Sequence, residues 1–227
     1  MIPNGTARPG LRSGLANQLT GGVAIIQVAA ALPAITDSGT IIDGGTQTFN
    51  VTNTNTATLN SASTVGIDNL PVPALGGPEI QIQPTSTFFS NAVSGITLNA
   101  TATNTTIQNI SILGFTAASG TDQGNIYLVS GSSAMIRWNV IGSSATSYTD
   151  PGASARTADY GVLSNTGNLT LRENIVAFVG AGGFELFNAS SSTLVEANEL
   201  RGNAIVNSSA EILIFKLAAA MPSCAEI

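Results

Sequence analysis

The sequence predicts an all-β fold in which similar units stack on one another. The first observation is a recurring hexapeptide with an apolar residue at its first and last positions and Asn or Ile at its fourth. Its four copies are residues 107–112, 136–141, 171–176 and 195–200. They begin 29, 35 and 24 residues apart, and self-similarity at a period of about 20 to 50 residues is typical of repeat architectures.

The second observation is a short strand pattern ahead of each hexapeptide. These segments alternate apolar and polar residues and lie between Gly, Asn, Ser and Thr; they are 95–99, 125–129, 161–164 and 183–187, and 210–215 starts a further turn. Pro and Gly recur too often for helices, so none is expected. The rhythm of strand, turn, strand and loop predicts a right-handed parallel β-helix, a solenoid of about seven or eight coils.

The fourth position of the hexapeptide has a predicted structural role. Its first and last residues should point into the coil, and Asn should adopt the left-handed conformation of a tight bend. Its amide can then bond to the next coil, about 4.8 Å away. We therefore expect Asn139, Asn174 and Asn198 to form an internal ladder that binds no ligand, with Ile110 at the equivalent place one coil earlier.

The chain divides into three parts. Residues 1–20 are predicted to be an N-terminal leader or cap, and residues 21–215 the β-helix domain with a Thr- and Asn-rich insertion at 45–76. Residues 216–227 form a tail that we expect to be truncated. Arg8 and Arg12, followed by the apolar segment 21–31, resemble a secretory signal peptide. Gln27 lies inside that segment, however, and favours its interpretation as the first coil of the fold. We therefore expect the export signal to lie upstream of this sequence.

Composition excludes several classes of protein. Only 9% of residues are charged, none is His, and 43% are apolar, which does not fit a disordered chain. The net charge of −6 with seven basic residues excludes nucleic acid as a partner. The chain contains no run of about 18 or more apolar residues, so no membrane-spanning helix is expected. Cys224 is the only cysteine, so no internal disulfide or zinc site is possible. No cofactor or metal is expected.

Residues 32–47, Leu-Pro-Ala-Ile-Thr-Asp-Ser-Gly-Thr-Ile-Ile-Asp-Gly-Gly-Thr-Gln, resemble the opening motif of large bacterial secreted or cell-surface proteins with right-handed parallel β-helix repeats. Residues 77–82 and 107–115 resemble the next coils of these proteins, and 139–142 resembles their recurring Asn-x-Ile-Gly. The resemblance spans about residues 20 to 203. It implies an extracellular or cell-surface stalk, adhesin or carbohydrate-contacting module, with a polysaccharide or glycan as partner and further domains in the same polypeptide.

The alternative is a polysaccharide lyase or glycoside hydrolase, because pectate lyases and related enzymes also have this fold. Such chemistry needs convergent carboxylates, together with a base or Ca²⁺ in the lyases. The densest cluster is Asp150, Arg156 and Asp159, which would be the catalytic residues of an enzyme, with Tyr160 beside it as a candidate ligand contact. The competing interpretation is a solvated loop in which Asp150 begins an ordinary turn. Asp43 is likewise predicted to belong to a turn.

Two outward-facing sets are candidates for ligand contact. Trp138 is predicted to be exposed, where it could stack on a sugar ring or cover a neighbouring loop. Arg172 and Glu196 share one offset in adjacent coils and should form a surface pair. With Glu173, Glu199 and Arg201 they are expected to form a mixed-charge face.

Overall fold

A computed structural model describes residues 2–7, 13–59, 64–65, 70–71, 74–88, 93–115, 123–206 and 214–216. One helix, α1 (Gly45–Val51), lies among twenty strands. The strands of the main sheets are β1 (Ala24–Val28), β2 (Ile41–Asp43), β7 (Ile80–Pro84), β8 (Ile96–Leu98), β9 (Thr105–Gln108), β10 (Ile110–Ile112), β11 (Gly124–Leu128), β12 (Ala134–Arg137), β13 (Val140–Ile141), β14 (Tyr160–Ser164), β15 (Leu169–Arg172), β16 (Ile175–Ala177), β17 (Gly182–Phe187), β18 (Leu194–Glu196), β19 (Glu199–Arg201) and β20 (Ile214–Lys216). The short strands between β2 and β7 are β3 (Thr58–Leu59), β4 (Thr64–Val65), β5 (Leu70–Pro71) and β6 (Leu75–Gly76).

The main strands form three sheets in which every pairing is parallel. Sheet A has the order β1-β7-β10-β13-β16-β19, sheet B the order β20-β17-β14-β11-β8, and sheet C the order β18-β15-β12-β9-β2. The chain visits sheets B, C and A in turn, for example along β8, β9 and β10, and then returns to sheet B. We call one such passage a level. The predicted all-β fold with parallel sheets is therefore confirmed.

The core runs along the inside of the stack, because inward residues of one level pair in register with inward residues of the next. Ile107 pairs with Ile136, and Ile136 with Leu171. All three are fully buried and belong to one apolar cluster that draws on all three sheets. The alternation of apolar and polar residues along these short strands thus places alternate side chains in the core.

Asn139, Asn174 and Asn198 occupy one inward column of sheet A and bond to one another. The Asn139 amide nitrogen donates to Asn174 Oδ1 at 3.0 Å, and that of Asn174 to Asn198 Oδ1 at 2.9 Å. Each Oδ1 also accepts the backbone N–H of the equivalent residue one level earlier, beginning with Ile110. The same amide nitrogens donate to backbone carbonyls of the preceding level.

The prediction that these asparagines are left-handed was wrong. The positive φ lies one residue earlier, at Asn109, Trp138, Glu173 and Ala197, with φ between 53° and 56°. The bend is therefore made by outward-facing residues of four different types. The asparagine instead contributes its buried amide, which satisfies backbone groups that the bend leaves unpaired.

The prediction that helices are absent was also wrong, and the insertion at 45–76 is partly regular. Helix α1 begins directly after β2. β3 pairs with β6 and β4 with β5, both antiparallel, and we call these four short strands the flap.

The flap packs on the outer face of sheet A. Leu59 forms a second apolar cluster with Val140, Ile175 and Ala177, and Leu75 packs against it. The start of the insertion is fixed by Asn55, whose amide nitrogen donates to the Pro78 and Ala145 carbonyls at 2.8 Å each. Thr54 is fixed through its hydroxyl, which donates to the buried Glu79 carboxylate at 2.9 Å. Leu59 and Leu75 thus attach the flap to sheet A.

The N-terminal segment contacts the insertion. The Ile2 N–H donates to Gln47 Oε1 of α1 at 2.9 Å, and Gln47 returns a bond to the Ile2 carbonyl at 2.7 Å. Residues 8–12, most of the strand predicted at 210–215 and the tail from 217 onward lie outside the described residues. Within the described part of the chain, no helix has the length and apolar character needed to cross a membrane.

Asn174→Ala is expected to lower the free energy of unfolding by about 2 to 4 kcal/mol, because it strips hydrogen-bond partners from buried groups on both neighbouring levels. Chemical denaturation measures the change. Asn168→Ala is the control, since it removes an asparagine side chain that is exposed and lies outside the ladder. Equal stability of the two variants would contradict the role of the ladder.

Gly142→Ala should destabilise the protein more than Gly39→Ala. Both glycines have positive φ, +90° and +75°, but a Cβ on Gly142 would lie 2.1 Å from the Ala177 carbonyl oxygen, whereas nothing lies within 4 Å of one on Gly39. Gly39→Ala should cost only the left-handed conformation, about 1 to 2 kcal/mol. Thermal unfolding of both variants tests the difference, and equal midpoints would refute it.

Candidate functional site

The three sheets differ in how far their outer faces are covered. The outer face of sheet A lies under the flap, and its central residues Val140 and Ile175 are buried. On sheet B the outer positions Leu163 and Glu185 are also buried. On sheet C, by contrast, Ile41 is 67% and Leu194 45% exposed. The outer face of sheet C is therefore the accessible one among the described residues, and we call it the open face.

Two columns of side chains run along the open face. The first alternates apolar residues and threonines, and its members in register are Ile41, Thr106, Met135, Thr170 and Leu194. The second is polar and charged, and consists of Asp43, Gln108, Arg137, Arg172 and Glu196. Since neighbouring parallel strands lie about 4.8 Å apart, the open face presents polar groups at a regular spacing.

Asp43 begins a chain of hydrogen bonds along the polar column. Its carboxylate accepts from the Asn109 amide at 2.9 Å, the Gln108 amide at 2.8 Å and the Gly45 N–H at 2.8 Å. Arg137 Nε in turn donates to Gln108 Oε1 at 2.8 Å. Burial by itself would raise the pKa of Asp43, but the hydrogen bonds from Asn109, Gln108 and Gly45, with the Arg137 charge, lower it overall. Asp43, which was predicted to belong to a turn, is the last residue of β2 and part of the open face.

The far end of the column carries the predicted surface pair. Arg172 Nη1 lies 3.3 Å from Glu196 Oε1, and Arg172 Nε lies 3.6 Å from Glu173 Oε2. Arg137 and Arg172 are register neighbours, and no ion pair of Arg137 is found among the described residues. The contacts of the Arg137 guanidinium are the bond from its Nε to Gln108 Oε1 and its approach to the Trp138 ring.

Trp138 lies at the corner between sheets C and A, and it is half-buried rather than exposed as predicted. Its indole Nε1 donates to Glu173 Oε2 at 2.5 Å, and the Arg137 guanidinium lies 4.1 Å from the ring centroid. Its left-handed backbone and these two contacts fix the ring at the edge of the open face.

The predicted catalytic cluster is divided between two structural roles. Asp150 pairs with Arg156 and accepts the Gly152 N–H at 2.9 Å; the bond from Arg156 outweighs burial and lowers the pKa of Asp150. Asp159 is fully buried, and its Oδ2 accepts the Gln123 N–H at 3.0 Å.

Tyr160, the second predicted ligand contact, lies away from Trp138. It begins β14 on sheet B, where its register neighbours are Gly124 and Gly182. Trp138 instead lies at the corner between sheets C and A, so the structure does not join these residues in one site.

The predicted mixed-charge face is wrong at Glu199. This residue is buried with 7% exposure, because it lies on sheet A beside the flap and not on sheet C. Burial, with the Glu199 carboxylate nearby, raises the pKa of Tyr148 well above its usual value. Glu173 and Glu196 remain at the corner and on the open face.

Sequence reasoning missed the open face as a unit, although part of its signal was present. The second position of every hexapeptide carries a polar residue, namely Gln108, Arg137, Arg172 and Glu196. That position identifies the polar column. It does not reveal which outer face is covered, because the flap is distant in sequence from the sheet it packs on.

Comparison with family models, with curated proteins and with solved structures found no match to this chain. Among the described residues, no group of three or more Cys, Asp and Glu side chains is placed to hold a metal ion. The functional argument therefore rests on the geometry of the open face and its corner.

Asp43→Asn should weaken the dependence of stability on pH in the acid range. The folded pKa of Asp43 lies below its ordinary value of 3.8, so the carboxylate stabilises the fold above that pH and loses this contribution as pH falls through the folded pKa. Urea unfolding at pH 6 and pH 3 should show a smaller difference for the variant than for wild type. Asp37→Asn, at an exposed position, controls for the lost charge; an unchanged pH dependence in Asp43→Asn would contradict the prediction.

Proposed function

We propose that this protein is a non-enzymatic structural or adhesive module of a bacterial extracellular or cell-surface protein, and that it binds carbohydrate on its open face. The observation that carries the proposal is the open face itself. It is an accessible sheet surface whose regularly spaced amide, guanidinium and carboxylate groups lie beside a fixed tryptophan. Planar polar side chains can form hydrogen bonds with the hydroxyls of a sugar, and the indole ring of Trp138 can contact its C–H face.

The architecture we propose is a right-handed parallel β-helix. Three parallel sheets visited in constant order support it, and crossover connections between parallel strands are right-handed in about 98% of cases. Six levels are present in the described part of sheet A, so the number of seven or eight coils stays a prediction. The proposed kinship with bacterial surface β-helix repeat proteins rests on residues 32–47 and on the recurring hexapeptide.

A repeated surface suits a repeated ligand. Each level adds one member to both columns of the open face, so successive units of an extended polysaccharide meet equivalent groups. Individual contacts to such a face are weak because the side chains are solvated, but several contacts along one chain add by multivalency. This favours adhesion to a polymer over tight binding of a small molecule.

The contacts of the predicted acid residues support binding without cleavage. Asp150 is held by Arg156, and Asp159 is fully buried and bonded to backbone. A glycosidase needs two carboxylates on either side of an accessible bond, and the positions of this pair do not favour that role.

The proposal is tested with Arg172→Ala on a glycan array and by solution titration. Arg172 is exposed and its ion pair contributes little to stability, but a lost charged hydrogen bond should weaken binding by roughly tenfold. Arg201→Ala removes the same charge from sheet A and should leave affinity unchanged. In parallel, the polysaccharides that bind are incubated with wild type, and reducing and unsaturated ends are followed.

Three results would count against the proposal. Equal losses in Arg172→Ala and Arg201→Ala would remove the open face as the binding surface. Release of reducing or unsaturated ends, abolished by Asp150→Asn or Asp159→Asn, would establish the lyase or hydrolase alternative. The absence of binding to any glycan would leave a structural module without carbohydrate contact.

The extracellular location is tested separately. In cells that naturally make the protein, an antibody should label the surface of intact cells, and external protease should remove the signal. Labelling only after the cells are broken would contradict the location.

A further inference from the structure

A groove of about 160 Å³ lies between the flap and the corner that carries Trp138. Leu75 of the flap forms one side, and Trp138, Glu173, Ile175 and Glu199 are among the residues that form the rest. We call it the flap groove. It is separate from the open face because it lies on the sheet A side of the corner.

The size of the groove limits its ligand. Pockets for drug-sized molecules are about 300 to 1,000 Å³, whereas this volume accommodates about one small ring. Leu75, Ile175 and the indole of Trp138 supply apolar surface, and the Arg137 guanidinium already lies over the indole ring. A ligand with at least one apolar face is therefore favoured.

The polar groups of the groove are acceptors. Glu173 is held in place by the Trp138 N–H and lies 3.6 Å from Arg172, and Glu199 is mostly buried two residues before Arg201 on β19. Carboxylates accept hydrogen bonds from hydroxyl groups. The Glu173 and Glu199 carboxylates repel an anionic ligand. Because Arg172 lies near Glu173 and Arg201 is two residues from Glu199, the groove does not require a cationic ligand either.

We infer that the flap groove is a subsite for one neutral sugar residue, with its C–H face on Trp138 and Leu75 and its hydroxyls donating to Glu173 and Glu199. This inference rests on the proposed carbohydrate-binding function and specifies the ligand class. A polysaccharide on the open face would place a terminal or branch residue in the groove, because Trp138 and Glu173 lie on the corner that separates the two surfaces. Uronic acids are excluded from the groove by its two carboxylates.

Trp138 is the only tryptophan of the chain, so its fluorescence reports directly on the groove. We would titrate wild type with methyl glucoside, galactoside and mannoside and with the matching methyl uronides. At least one neutral glycoside should change the emission with saturation, and its uronide should bind about tenfold more weakly or worse.

Three variants locate the binding. Ala74→Phe places a bulky ring at an exposed groove position and should abolish the fluorescence response. Glu173→Gln keeps an acceptor for the Trp138 N–H and should weaken binding about tenfold. Asp37→Asn makes the same charge change at an exposed position that does not line the groove, and should stay within about twofold of wild type.

The outcomes separate this inference from the proposed function. Equal binding of uronides and neutral glycosides, a normal response in Ala74→Phe, or equal losses in Glu173→Gln and Asp37→Asn would each overturn the subsite. If polysaccharides bind wild type but no methyl glycoside does, the subsite fails and the proposed function stands. If no polysaccharide binds either, both fail.

Discussion

The in-register stacking of levels is the constraint on which the rest of the structure depends. Parallel pairing places equivalent positions of successive levels above one another, about 4.8 Å apart along the stack. The asparagine ladder holds that register at the sharpest bend. Each amide bonds to the next asparagine and to backbone of the preceding level, and a slip of one residue would bury outward side chains and leave these amides unpaired.

Stacking also makes surfaces. Because outward positions of successive levels pair in register, each outer face carries columns of side chains that run from level to level. The flap covers the apolar area on sheet A, where Val140 and Ile175 pack against Leu59. The same packing leaves sheet C open and creates a groove beside Trp138. One insertion therefore covers the outer face of sheet A and forms one side of the groove.

Charge is scarce in this chain, and most of it is arranged locally. Glu79 fixes the start of the insertion, Asp150 and Arg156 hold their own loop, and Asp43 organises the amides of Asn109 and Gln108. Arg137 and Arg172 differ because they are adjacent in register on the accessible face. We therefore propose ligand binding for that face and not for the loop that contains Asp150 and Asp159.

The sequence by itself determined the strands, the repeat and the asparagine column, because alternation and spacing are local signals that stacking preserves. It also identified Arg172 and Glu196 as a pair, since both occupy the second hexapeptide position. It did not determine the backbone of the bend, where the left-handed residue precedes the asparagine, nor helix α1, whose Thr- and Asn-rich sequence has little helical propensity. Only the tertiary structure decided that Glu199 is buried, that Asp159 is structural and that sheet C is open. These outcomes depend on contacts between segments far apart in the chain, such as Leu75 beside Trp138, and no local pattern encodes them.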